Sequence, residues 1–312
     1  MRFSSRRSFL KQSILSCSSI PLLTQCSCLR AADPSPTASE ENAECCEKKG
    51  CKMRFGLVTY LWGQDWDLPT VITNCEKSGI LGVELRVDHK HDVKPSMTPE
   101  QRKEVRKRFK DTPVIFVGMG TNEQYDNPDP AKVAQAIENT KAFVKLSYDC
   151  GGSGVKVKPN QFHPNVPKEK TLEQIGKSLN IVGKYAADFK QQIRLEVHGT
   201  CAPLPYIKQI MDVADHPNVT VCWNSNDEDL QGEGLEKNFA MVSKRFGDTA
   251  HVRELNIGKY PYQKLMDLFV GIDYKGWILL EARTAPKDPV AAMIEQKQVF
   301  DKMVADAQSR IS

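Results

Sequence analysis

Apart from a short apolar stretch ending at Leu23, the chain has no hydrophobic run approaching the roughly 20 consecutive residues that a membrane-spanning helix needs. An excess of one charge is missing too. Of 43 basic residues, five (Arg2, Arg6, Arg7, Lys11 and Arg30) fall in the first 32 positions, where there is no acidic residue, leaving 38 against 39 acidic residues in the remainder. The formal charge of +4 therefore belongs to the N-terminal segment, and the near-neutral remainder argues against a nucleic-acid partner. No glycine-rich dinucleotide fingerprint or phosphate loop follows the first strand-like run, which counts against a doubly wound open sheet with its glycine-rich first turn. The cysteines do not form an obvious disulfide framework. Beyond residue 32 they are Cys45, Cys46, Cys51, Cys75, Cys150, Cys201 and Cys222, an odd number that cannot all pair internally.

What is present begins with Ser5-Arg6-Arg7-Ser8-Phe9-Leu10-Lys11, followed by a Ser-rich, moderately apolar stretch and the small residues Ala31 and Ala32. That arrangement is similar to a bacterial twin-arginine signal, an address read by a receptor and used by passengers that fold before crossing the membrane. The expectation is a signal peptide over residues 1–32 and a periplasmic destination. Cys26 is a lesser alternative as a lipid acceptor, because Leu23-Thr24-Gln25 fits a lipoprotein cleavage site poorly. Residues 33–52, with Pro34, Pro36 and several glutamates, read as a disordered linker in which Cys45, Cys46 and Cys51 hold at most a local disulfide.

From Met53 onward short β-type runs alternate with longer helical patterns. The strand candidates are Arg54–Leu61, Gly82–Val87, Pro113–Gly118, Gly154–Lys158, Ile193–His198, Val219–Trp223, His251–Asn256 and Trp277–Ala282. Helical stretches between them include Pro99–Phe109, Pro130–Leu146, Thr171–Phe189 and Tyr262–Phe269. Eight such units in about 250 residues predict one α/β domain over residues 53–312, a (β/α)8 TIM barrel, with an open α/β sheet as the alternative.

Strand side chains alternate between faces, so Arg194, Glu196 and His198 share one face while Ile193, Leu195 and Val197 share the other. The apolar set belongs under helices, and the polar set then faces the barrel lumen, whose C-terminal mouth is where barrels keep their active sites. The same split recurs at Glu84/Arg86, at Lys156/Lys158, and at Glu281/Arg283. One charged strand end is commonly a solvated rim or an internal salt bridge, and Glu84 with Arg86 is open to that reading. Repetition around the ring favours a site.

Glu196 on the fifth strand, Asn224 past the sixth, His251 on the seventh and Glu281 on the eighth form a set of oxygen and imidazole donors suited to a divalent ion (Mn, Co, Mg or Zn). Two glutamates flanking a sugar carbonyl can move a proton to and from the adjacent carbon, which is isomerisation or epimerisation through an enediolate. Glu84, Lys156, Lys158, His198, Asn226 and Arg283 are candidates for substrate contact, with Asp227 nearby in the sixth-strand loop. His89, His91, His163 and His216 carry no assigned role.

The segments Leu195-Glu196-Val197-His198-Gly199, Val221-Cys222-Trp223-Asn224-Ser225-Asn226, His251-Val252-Arg253-Glu254 and Tyr260-Pro261-Tyr262, with Tyr274 through Glu281, resemble the xylose-isomerase-like barrel superfamily from about Met53 to Met303. That superfamily holds sugar isomerases, ketose 3-epimerases, hydroxypyruvate isomerase and an endonuclease branch. The resemblance implies that Glu196 and Glu281 are both metal ligands and the acid/base pair, with His251 a third ligand. Asn224 departs from the metal-binding Asp of epimerase-type members, and a second register would place Asn256 rather than His251 at the seventh-strand position. The function expected is an isomerase or epimerase of a free sugar or sugar-derived keto compound. Two alternatives stand: a lyase or hydratase acting on 3-keto-glycosides, and a non-catalytic carbohydrate-binding barrel with a degraded metal site. The partner expected is a small carbohydrate, with no nucleic acid and no stable membrane span; a homo-oligomer is left open.

Overall fold

The computed structural model describes residues 48–311. The signal segment, Cys26, Cys45 and Cys46 lie outside the described residues. Eight strands alternate with eight long helices: β1 (Arg54–Val58), α1 (Leu68–Ser78), β2 (Gly82–Arg86), α2 (Pro99–Lys110), β3 (Ile115–Gln124), α3 (Pro130–Cys150), β4 (Gly154–Lys158), α4 (Lys168–Asp188), β5 (Gln192–Glu196), α5 (Leu204–Val213), β6 (Val219–Cys222), α6 (Leu235–Val242), β7 (Thr249–Val252), α7 (Tyr262–Gly271), β8 (Trp277–Leu280) and α8 (Pro289–Ile311). Local chemistry sets the helix starts. Asp67, Thr98 and Asp129 each accept a backbone N–H of the first turn, and a proline follows within two residues each time.

All pairings are parallel, in the order β6-β5-β4-β3-β2-β1-β8-β7. The remaining seam closes by backbone bonds from Gly247 N to Val221 O (3.0 Å), His251 N to Trp223 O (2.6 Å) and Ser225 N to His251 O (3.2 Å). The chain is thus a (β/α)8 TIM barrel, and its closing seam sets Asn224 beside His251. No described helix is long and apolar enough to cross a membrane.

One apolar core lies between the outer strand faces and the helices, where Ile193, Leu195 and Val197 are wholly buried. Burying each such side chain contributes about 1.5–3 kcal/mol. A second cluster, Val58, Val117, Trp277 and Leu279, plugs the lumen.

Two strand expectations need correction. β3 starts two residues later than expected and runs six further, to Gln124, because Gly118 and Gly120 do not end the strand: they let it pass close to its neighbours. Gly118 has φ 151° with its missing Cβ against Gly154 O, and a Cβ on Gly120 would sit 2.6 Å from Glu84 Oε1. β7 begins at Thr249, paired with Trp277, and ends at Val252. Residues 48–52, read as linker, are folded: Gly50 N donates to Asp273 Oδ1 (2.9 Å) and Met53 N to Gly50 O (3.0 Å).

Candidate active site

The period of two in β5 places Arg194, Glu196 and His198 along the lumen at three depths. Arg194 lies toward the base, donating to Gln192 Oε1 (3.1 Å), Val117 O (3.3 Å) and Ser153 Oγ (2.6 Å), with Asp248 Oδ2 at 3.5 Å. Two residues on, Glu196 stands at the mouth and is 1% exposed. Lys156 Nζ donates to its Oε2 (2.7 Å) and to Thr121 O (3.2 Å), while Asn224 Nδ2 donates to its Oε1 (3.0 Å).

His251 lies between two carboxylates, with Nε2 3.3 Å from Glu84 Oε1 and Nδ1 3.5 Å from Glu196 Oε1. These are ion-pair distances without hydrogen-bond alignment, so both ring nitrogens and both Glu84 oxygens are buried with no hydrogen-bond partner. Glu281, at the end of β8, completes the group. One ligand atom each from Glu196, His251 and Glu281 lies within 4.8 Å of the others, and all three residues are buried.

The electrostatics follow from this packing. Burial works to raise the Glu196 carboxyl, but Lys156 and His251 outweigh it and hold its pKa well below the ordinary value. Burial opposes a charged His251 ring, yet Cys222 beside it and the Glu84 and Glu196 carboxylates lift its pKa well above 6.5. Glu84 is lowered in turn, burial being overcome by His251. At the rim, burial and the neighbouring charge of Lys156 bring Lys158 down to about 8. His198 is lowered chiefly by burial.

These residues fit a divalent ion. Three protein ligands with open positions is the usual catalytic arrangement, and the unpartnered His251 ring backed by Glu84 matches a ligand imidazole oriented by an outer carboxylate. Two features weaken the fit. Asn224 offers no charge and turns its amide nitrogen toward Glu196, and Lys156 already holds the other Glu196 oxygen.

The remaining candidates separate clearly. Glu84, Lys156, Lys158 and His198 stand in or above the same cluster, and Glu84 approaches His251 rather than pairing with Arg86. Asn226 ties the β6 loop down, its Nδ2 donating to Val197 O (2.8 Å) and Asn224 O (3.0 Å). Arg283 and Asp227 are exposed. Asn256 is away from the site, bonded to Glu295 (2.7 Å) and Gln296 (2.6 Å) of α8, so His251 is the seventh-strand residue that joins the cluster. Sequence reasoning missed Asp126, whose Oδ2 lies 2.8 Å from His163 Nε2 across the β3 and β4 loops, and Asn122, which joins Arg86 and Lys158. Asp126 lies past the end of β3, and Asn122 lies within it but beyond Gly118, where the strand was expected to stop.

A closed barrel whose mouth gathers carboxylates, an imidazole and a lysine is a scaffold for chemistry on a small polar ligand. The chain belongs to the xylose isomerase-like TIM barrel family, whose model matches residues 72–303. No curated protein matches the sequence significantly. Among solved structures, the fold is similar to that of an L-ribulose 3-epimerase (TM-score 0.72, 14% identity, 83% of this chain and 96% of that one). It is also similar to a 3-keto-D-glucoside 4-epimerase from E. coli (TM-score 0.69, 12% identity, 80% and 99%). A D-allulose 3-epimerase from Methylomonas sp. aligns with TM-score 0.67 at 17% identity, covering 82% of this chain and 98% of that one.

Proposed function

We propose that this protein is an isomerase or epimerase of a sugar or sugar-derived keto compound, with Glu196 and Glu281 as its acid/base pair. The observation that carries this is the convergence of both carboxyl groups with His251 in one buried cluster. One glutamate removes the proton from the carbon beside the carbonyl and the other returns it, to the same or a neighbouring carbon. Lys156 keeps Glu196 ionised, the state a base requires. His251, oriented by Glu84, stands beside Glu196 as a neutral imidazole donor when the ion is bound. A divalent ion held by Glu196, His251 and Glu281, with Asn224 as a neutral fourth donor, would supply Lewis acidity toward the carbonyl.

The test is proton exchange in D2O, followed by NMR on a panel of ketoses and keto-glycosides. Deuterium at the carbon next to the carbonyl, lost in Glu196→Gln and in Glu281→Gln, supports the reading. Release of an aglycone in place of exchange would indicate the lyase alternative instead. A second reading, a carbohydrate-binding barrel without turnover, is favoured by one observation: Lys156 and Asn224 occupy both oxygens of Glu196. Ligand binding with no exchange on any member of the panel would establish it.

The twin-arginine stretch supports export to the periplasm. Replacing Arg6 and Arg7 together by lysine is expected to retain the protein in the cytoplasm, as read by fractionation.

A further inference from the structure

On the β2 to β4 side of the mouth, cations are gathered without an anion. Arg86 Nη2 and Lys158 Nζ both donate to a single neutral atom, Asn122 Oδ1, each at 3.1 Å. Arg86 is only 9% exposed and its Nε finds no acceptor. Neither Arg86 nor Lys158 pairs with a carboxylate among the described residues. His198 Nδ1, beside them, is buried and equally without a partner. Of the nearby acids, Glu196 is bonded by Lys156 and Asn224, Glu84 faces His251 and Glu281 lies with Glu196 and His251, and none forms an ion pair with Arg86 or Lys158.

Two other buried or half-buried arginines are better satisfied, although Arg253 Nε just past β7 is likewise buried without a partner. Arg194 has the acceptors described above, and Arg102 is held by Asp149 Oδ2 (2.8 Å), Pro95 O (2.6 Å) and Met97 O (3.2 Å). A buried guanidinium with an open N–H, next to a second cation, is unfavourable unless an acceptor arrives from outside. Lys158 is half-buried and reaches the opening, so such an acceptor has access. In the β4–β5 ladder Val157 pairs with Leu195, which sets Lys158 beside Glu196 at one strand spacing, about 4.8 Å.

We infer that the substrate is a sugar acid, whose carboxylate is held between Arg86 and Lys158 while its carbon chain runs toward Glu196 and Glu281. The planar fork of Arg86 and the ammonium of Lys158 together suit a single carboxylate. The inference deepens the proposed reaction and depends on it for what happens to the bound acid, though not for the binding.

The test is calorimetric titration of the full chain with matched pairs: D-glucuronate and D-glucose, D-galacturonate and D-galactose, 2-keto-D-gluconate and D-fructose. At least one acid is expected to bind about 10- to 100-fold tighter than its neutral partner, the range of a charge-assisted contact. Arg86→Gln and Lys158→Gln should each remove about tenfold of that preference; Lys158, being half-buried, tolerates replacement if the Arg86 variant does not fold. Equal binding of acid and neutral partner in all three pairs overturns the inference, as does a preference that survives in Lys158→Gln and in any folded Arg86 variant. Tighter binding of glucose 6-phosphate than of every acid overturns the sugar-acid assignment. The reaction is judged separately by proton exchange, so acid preference without exchange defeats the proposed chemistry and leaves the anion site standing.

Discussion

Arg194 and the cluster around Glu196 lie on the same strand face, two residues apart, and their polar groups are treated in opposite ways. Toward the base, the hydrogen bonds and the ion pair of Arg194 all end on acceptors supplied by the barrel itself. At the mouth, His251, Glu84, Arg86 and His198 keep buried nitrogen or oxygen atoms with no hydrogen-bond partner. Buried polar groups are normally satisfied, so a satisfied set reads as structure and an unsatisfied set reads as a place where a ligand completes the bonding.

The largest effect expected from that contrast is at the mouth. Glu196→Gln or Glu281→Gln should reduce proton exchange by about 10²- to 10⁴-fold, the usual contribution of a positioned acid or base. A smaller loss in both would place the chemistry elsewhere. At the base the expected effect is on stability alone. Arg194→Met should cost about 3 kcal/mol in urea denaturation, because Ser153, Gln192 and the Val117 carbonyl lose a buried partner, while ligand dissociation constants stay put. A shift in ligand binding would erase the distinction between the two layers.

His91 sharpens the comparison by being a satisfied group near the mouth. Its Nδ1 accepts from Val93 N (3.1 Å), so its Nε2–H donates to Arg86 O (2.7 Å), and burial lowers its pKa to about 4. The folded state resists protonation that the unfolded chain accepts below about 6.5. This contribution is therefore complete above pH 6.5 and lost as pH falls toward 4, by at most about 3 kcal/mol. Denaturant midpoints at pH 7 and pH 5 should show that decline, and His91→Gln should lack its share. The smallest effect belongs to Asn224→Asp. Restoring a carboxylate should tighten Mn binding on the order of tenfold by calorimetry. It should also lower the melting temperature in chelator, since the new charge faces Glu196 where an amide had donated. Unchanged Mn affinity would mean that Asn224 does not face the ion.

Much of the fold was readable because local rules and tertiary demands agree. The alternation in β5 named its lumen face, and the helices expected to start at Pro99 and Pro130 do start there. β3 was misread because glycine normally interrupts a strand, whereas here Gly118 and Gly120 make room for Arg194 and Glu84. Of the site, Glu196 and Glu281 were legible as lumen-facing residues of the fifth and eighth strands, and His251 of the seventh through the family resemblance. The bonds from Lys156 and Asn224 to Glu196 were not, because pairing across strands depends on register and side-chain reach rather than on neighbours in sequence.

By itself, then, the sequence determined the ring of eight βα units and the face on which its charges lie, because strand and helix periods are local properties. Depth along the lumen was decided only by the closed barrel. Arg194 and Glu196 have the same parity and similar burial, and nothing in the chain order says that one meets a complete set of acceptors while the other meets an open mouth. Twist, stagger and the β6–β7 seam set those surroundings, and with them the difference between a structural charge and a reactive one.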